Sequence, residues 1–77
     1  MSEDKEIDNL LYNIMWLRKK EKLSKKEMAR ILGVGMVSIN KIEKREVPQR
    51  LGASIVIAIY EYFGILPAVL FEKRLDE

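Results

Sequence analysis

The 77-residue chain has no cysteine and no histidine. Without cysteine there are no disulfides and no thiolate metal ligands. Without histidine there is no imidazole to ligate zinc or to move protons near neutral pH. Ser24, Ser38 and Ser54 therefore lack the base that would make a serine nucleophilic. Glycine is sparse, at four residues. Gly33-Val34-Gly35 has the spacing of a turn, not of a phosphate-cradling loop. No run is long and apolar enough to span a bilayer, and the acidic start does not resemble a signal peptide. Repeats, low-complexity tracts and interdomain linkers are also missing. These absences point to a binding protein rather than an enzyme. It is expected to be cytoplasmic, with no cofactor, no metal, no membrane partner and no small-molecule ligand. Residues 1–77 are expected to form one small domain with a limited core.

The net charge of +2 conceals a polarised distribution. Residues 18–50 carry eleven Lys/Arg and four Asp/Glu, whereas the segments on either side are net acidic. A positive stretch of this kind is the electrostatic footprint of a nucleic-acid surface. By charge alone, an ordinary solvated lysine-rich face accounts for it equally well.

Apolar spacing predicts five helices and no strand. Helix 1 is expected from about Lys5 to Glu21, with Met1 to Lys5 frayed. Its stripe is Ile7, Leu10, Leu11, Ile14, Leu17 and, oddly, Arg18. Tyr12 and Trp16 fall beside that stripe, where they would cover each other or the C-terminal tail. Ser24 is a good N-cap, and Glu27 three residues later completes a capping box. Helix 2 then spans Lys25 to Leu32, burying Met28, Ile31 and Leu32. Gly33 can take a positive φ and stop it. Val34 plugs the turn, and helix 3 spans Met36 to Lys44 with Ile39 and Ile42 inward. Two short helices joined by a tight glycine turn, over residues 24–44, can set the second helix in a DNA major groove.

The residues Leu23, Ser24, Met28, Ala29, Leu32, Gly33, Val34, Ile39, Lys41, Ile42 and Glu43 stand in register with a known pattern. Through them the chain resembles the Cro/phage-repressor (XRE-type) helix-turn-helix family, and with flanking helices the likeness runs from about Leu10 to Phe71. The resemblance implies an all-α, compact five-helix, lambda-repressor-like DNA-binding domain. It implies double-stranded DNA as the partner, a transcriptional regulator or phage- or mobile-element repressor as the role, and a homodimer as the working form. It also implies a buried ion pair between Arg18 and Glu43. Lys25 replaces the family's usual glutamine at a phosphate-binding position. Base contacts fall to Met36, Val37, Asn40 and Lys41, and phosphate contacts to Lys25, Ser38, Lys44, Arg45 and Arg50. Helix 3 departs from the family at its start, where Gly35, Met36 and Val37 replace the usual polar side chains. Val37 or Met36 could touch a thymine methyl, Asn40 could pair with adenine, and Lys41 could reach guanine or a phosphate.

Pro48 closes helix 3 and opens a basic loop. Helix 4 is expected from Ala53 to Phe63, between Gly52 and Gly64. Its β-branched run, Ile55 to Ile59, would suit a strand on propensity, but the glycine spacing fits a helix. One stripe, Leu51, Ile55, Val56, Ile59 and Phe63, suffices for the core. Ile57 and Tyr60 are left over and form a candidate dimer surface. Helix 5 is short, Pro67 to Lys73, with proline in its first turn. Leu75 to Glu77 is expected to be loose. The rival reading is a protein-interaction module on the same fold, antitoxin-like, with Tyr12, Trp16, Ile57 and Tyr60 as contact surface.

Overall fold

Five α-helices account for the regular structure among the described residues, which are 2–49 and 51–77 of a computed structural model. They are α1 (Ser2–Lys20), α2 (Lys25–Leu32), α3 (Met36–Glu43), α4 (Ala53–Phe63) and α5 (Pro67–Glu72). The fold is all-α, as the spacing predicts. Helix 1 begins at Ser2 rather than Lys5, since no glycine or proline near the start opposes it. Met1 and its expected fraying lie outside the described residues. The helical reading of the Ile55–Ile59 run also holds. Leucine and isoleucine faces packed against neighbouring helices outweigh the modest β-preference of branched residues.

The long α1 is the spine. It packs against α5 on one side and α3 on the other, while α2 lies between α3 and α4. Leu10, Leu11, Ile14 and Leu17 of α1 meet Met28 and Leu32, Ile39 and Ile42, Ile55 and Ile59, and Leu70, all buried. Each helix thus contributes one stripe to a common core. Leu51, Val56 and Phe63 are only partly buried at its edge.

Two buried asparagines escaped the apolar reading. Asn13 is fully buried. Its Nδ2 donates to the carbonyls of Leu70 and Lys73, both at 2.9 Å, and its Oδ1 accepts from the N–H of Leu75 at 2.8 Å. One turn earlier, Asn9 Nδ2 donates to the Phe71 carbonyl at 3.0 Å. The last turn of a helix leaves carbonyls without intrahelical partners; here side chains from α1 supply them. The tail is consequently tied down rather than loose. Tyr12 Oη donates to Asp76 Oδ2 at 2.5 Å, and the Arg74 guanidinium lies 4.4 Å from the Tyr12 ring centre. Tyr12 therefore covers the C-terminal tail, while Lys20 sits over the Trp16 ring at 5.0 Å.

Candidate nucleic-acid interface

The helix-turn-helix unit is built on two local devices. At its entry, Ser24 Oγ accepts from the Glu27 N–H at 3.0 Å, and Glu27 Oε1 accepts from the Ser24 N–H at 2.8 Å. This reciprocal box satisfies two otherwise orphaned donors. It also holds the Glu27 carboxyl below its usual pKa, chiefly through the Ser24 backbone N–H and then its hydroxyl. At the turn, Gly33 takes φ 70. The N–H of Val34 reaches back to the Ala29 carbonyl at 2.9 Å. That is the Schellman ending, in which a left-handed residue reverses the chain.

The ends of α1 and α3 use the same ending without glycine. Lys22 has φ 57 and Arg45 has φ 63. Around them, Leu23 N–H bonds the Arg18 carbonyl at 2.9 Å and Glu46 N–H bonds the Lys41 carbonyl at 2.8 Å. Glycine is the favoured residue at such positions. At 45 the arginine side chain is put to use, as described below.

Helix 3 is fixed to α1 by a mostly buried ion pair. Arg18 Nε donates to Glu43 Oε2, its Nη2 donates to Glu43 Oε1 at 3.1 Å, and its Nη1 donates to the Leu23 carbonyl at 3.0 Å. The two side chains are 16% and 14% exposed. The guanidinium thus ties the end of α1, the start of the α2 unit and the end of α3 together. Such a pair adds little net stability, but it sets how the helices sit against each other.

The opposite face of α3 is open. Met36 is 43% and Val37 70% exposed, Asn40 is exposed, and Ser38 and Lys41 are half-buried. Lys44 caps the helix on the exposed side. Lys25, at the start of α2, is exposed and its Nζ donates to Asn40 Oδ1 at 3.1 Å. None of Lys25, Lys41 and Lys44 takes part in an ion pair among the described residues. Gly35 precedes α3 without any side-chain cap. A Cβ placed there would meet nothing within 4 Å, so the packing does not require glycine.

Arg45 is placed differently from the expected phosphate contact. Its Nη1 donates to both Asp8 oxygens, at 3.0 and 3.2 Å, and its guanidinium lies 4.5 Å from the Tyr12 ring centre. The left-handed turn after α3 sets this side chain against α1. Tyr12 is thereby flanked by two guanidiniums, Arg45 and Arg74, which share Asp8. Its phenol is held above the usual pKa, first by the hydrogen bond to Asp76. Arg50, the other loop residue expected at a phosphate, lies outside the described residues. Ile57 and Tyr60 of α4 are 50% and 49% exposed.

Sequence reasoning missed Asp8, Asn9, Asn13, Arg74 and Asp76. The asparagines had little signal: they lie four apart outside the apolar stripe of α1, where polar residues ordinarily face solvent. The Asp8 cluster had none, because its members come from both ends of the chain and the loop after α3.

The chain matches a family model described as a helix-turn-helix domain over residues 11–74. No curated protein and no solved structure gives a significant match. Among the described residues, no helix is long and apolar enough to cross a membrane. The capped entry, the left-handed Gly33 turn, the α3 face open beside lysines and a match across most of the chain lead to one assignment: this protein belongs to the helix-turn-helix domain family of the Cro/phage-repressor (XRE) type.

Proposed function

We propose that residues 1–77 act as one unit, a cytoplasmic DNA-binding transcriptional regulator, and that α3 enters the major groove of a duplex. One observation carries this reading. The exposed face of α3 is bordered by Lys25, Lys41 and Lys44, which have no ion-pair partners among the described residues, whereas Arg18, Arg45 and Arg74 are engaged internally. Lys25, Ser38 and Lys44 take phosphates, and Met36, Val37, Asn40 and Lys41 meet base edges. Arg45 joins the phosphate set only on leaving Asp8, and Arg50 is assigned to it from the sequence alone. Gly35 lets the backbone approach a phosphate closely at the start of α3. The chemistry of this reading is binding rather than catalysis.

The working form is a homodimer joined through Ile57 and Tyr60. Two half-sites about one helical turn apart, roughly 34 Å, would then be read together. Doubling matters because the apolar start of α3 makes each copy a weak reader. Binding of fluorescent duplexes at several salt concentrations tests the proposal. Three or four of the cations Lys25, Lys44, Arg45 and Arg50 on phosphates give a log–log slope of about −2.7 to −3.6 per copy. Lys41→Glu combined with Asn40→Ala should abolish binding. A flat salt response, or no binding of any duplex at high micromolar protein, would overturn it.

The exposed Ile57 and Tyr60 on α4 favour one rival: a protein-interaction module in which α3 is idle. Under it the double substitution would leave partner binding intact. A strict monomer in light scattering would remove the dimer from either reading.

A further inference from the structure

Among the described residues, a single side-chain hydrogen bond crosses from the start of α2 to the open face of α3. Lys25 Nζ donates to Asn40 Oδ1 at 3.1 Å. An ammonium carries donors and no acceptor, so only the amide oxygen can face it. The contact therefore decides which way round the Asn40 amide stands. Its Nδ2 is used by none of the hydrogen bonds among the described residues, and its two N–H groups are left for a partner.

We propose that Lys25 is a positioning residue that presents Asn40 as a donor, so that α3 selects guanine over adenine at the base pair Asn40 meets. The proposal rests on the major-groove reading above. An unrestrained asparagine suits adenine, giving a hydrogen bond to N7 and receiving one from the N6 amino group. Here the oxygen needed for the second bond already faces an ammonium. Adenine would bring its amino donor against that cation and would find one lone pair of Oδ1 at most. Guanine offers two acceptors, N7 and O6, on the same edge. Nδ2 can donate to them, and the adjacent positive charge favours them further. The remaining ammonium donors stay available to a phosphate, so Lys25 can anchor the backbone and orient Asn40 at once.

The test is selection of bound duplexes from a random pool, with the full chain and three variants. The wild type should enrich guanine over adenine by roughly tenfold at one position, the range one good base contact supplies. Asn40→Ala should flatten that position. Lys25→Met keeps the aliphatic stem and removes the donor; it should weaken binding overall and move the same position from guanine toward adenine. Lys25→Arg, also a pure donor, should restore guanine. All four proteins should melt alike, because both residues are exposed. An adenine preference in the wild type at the position that Asn40→Ala flattens would overturn the proposal. So would an unchanged base preference in Lys25→Met, or salt-sensitive binding with no preference anywhere. The last result would leave the DNA-binding reading standing; failure to retain any duplex at low salt would remove both.

Discussion

Asn13 offers the sharpest test of how the C-terminal helix is held. Asn13→Ala removes two donors and one acceptor at once. The Leu70 carbonyl loses its partner beside a fully buried side chain, whereas the Lys73 carbonyl and Leu75 N–H are nearer the surface and can regain water. A buried orphan costs about 1–3 kcal/mol and each of the two replaceable bonds about 0.5–1.5 kcal/mol, so the whole loss is about 2–6 kcal/mol. A chain of this length has only about 4–12 kcal/mol of stability. Urea denaturation followed by far-UV circular dichroism reads the change directly. Asn13→Asp separates hydrogen bonding from volume. An ionised aspartate can still accept from Leu75 but sets charge against two carbonyls, so it should be less stable than the alanine variant at pH 7. Burial raises that carboxyl's pKa. On acidification it should become neutral and able to donate, which narrows the gap. An alanine variant within about 0.5 kcal/mol of wild type would refute the idea that these bonds hold α5.

Four further outcomes follow from the geometry. Arg18→Met leaves Glu43 buried without its partner and should cost about 3–5 kcal/mol, unfolding much of the protein at 37 °C; an unchanged melting temperature would contradict this. Lys22→Gly relieves a left-handed residue on the surface and should raise stability by about 0.5–1 kcal/mol in the same denaturation assay. The Glu27 carboxyl has a lowered pKa in the fold, so its contribution is present above the unfolded carboxylate pKa and lost as pH falls through the folded one; Ser24→Ala should flatten that acid limb of a stability–pH curve. Asp8→Asn weakens the hold on Arg45 and should steepen the salt dependence of duplex binding, while an identical slope would show that Arg45 stays against α1.

Much of the architecture was legible because one rule governed each helix. The stripes of α1, α2 and α3 follow a 3.6-residue period, Ser24 and Gly33 bound α2, and Gly64 ends α4. Arg18 stood out as a charge on an apolar stripe, and the family resemblance pointed to Glu43. The tail was misread because terminal polar residues ordinarily have nothing to hold them. Here Asn13 and Tyr12 reach across from α1, a pairing that sequence distance hides. The contacts of Arg45 were hidden for a related reason. Its position after α3 suggests a phosphate, but only the left-handed turn and the nearness of Asp8 and Tyr12 reveal its actual partners. The Lys25–Asn40 bond was equally out of reach, since it depends on how α2 and α3 cross.

The central claim is that the open face of α3, flanked by lysines with no ion-pair partner among the described residues, is the surface that meets a duplex. Titrating a short duplex into isotopically labelled protein and following its backbone amide signals tests this most directly. The account predicts shifts concentrated at the start of α2 and over Met36, Val37, Asn40, Lys41 and Lys44, shrinking as salt is raised. Shifts confined to α4 around Ile57 and Tyr60, with α3 unmoved at saturating duplex, would contradict it.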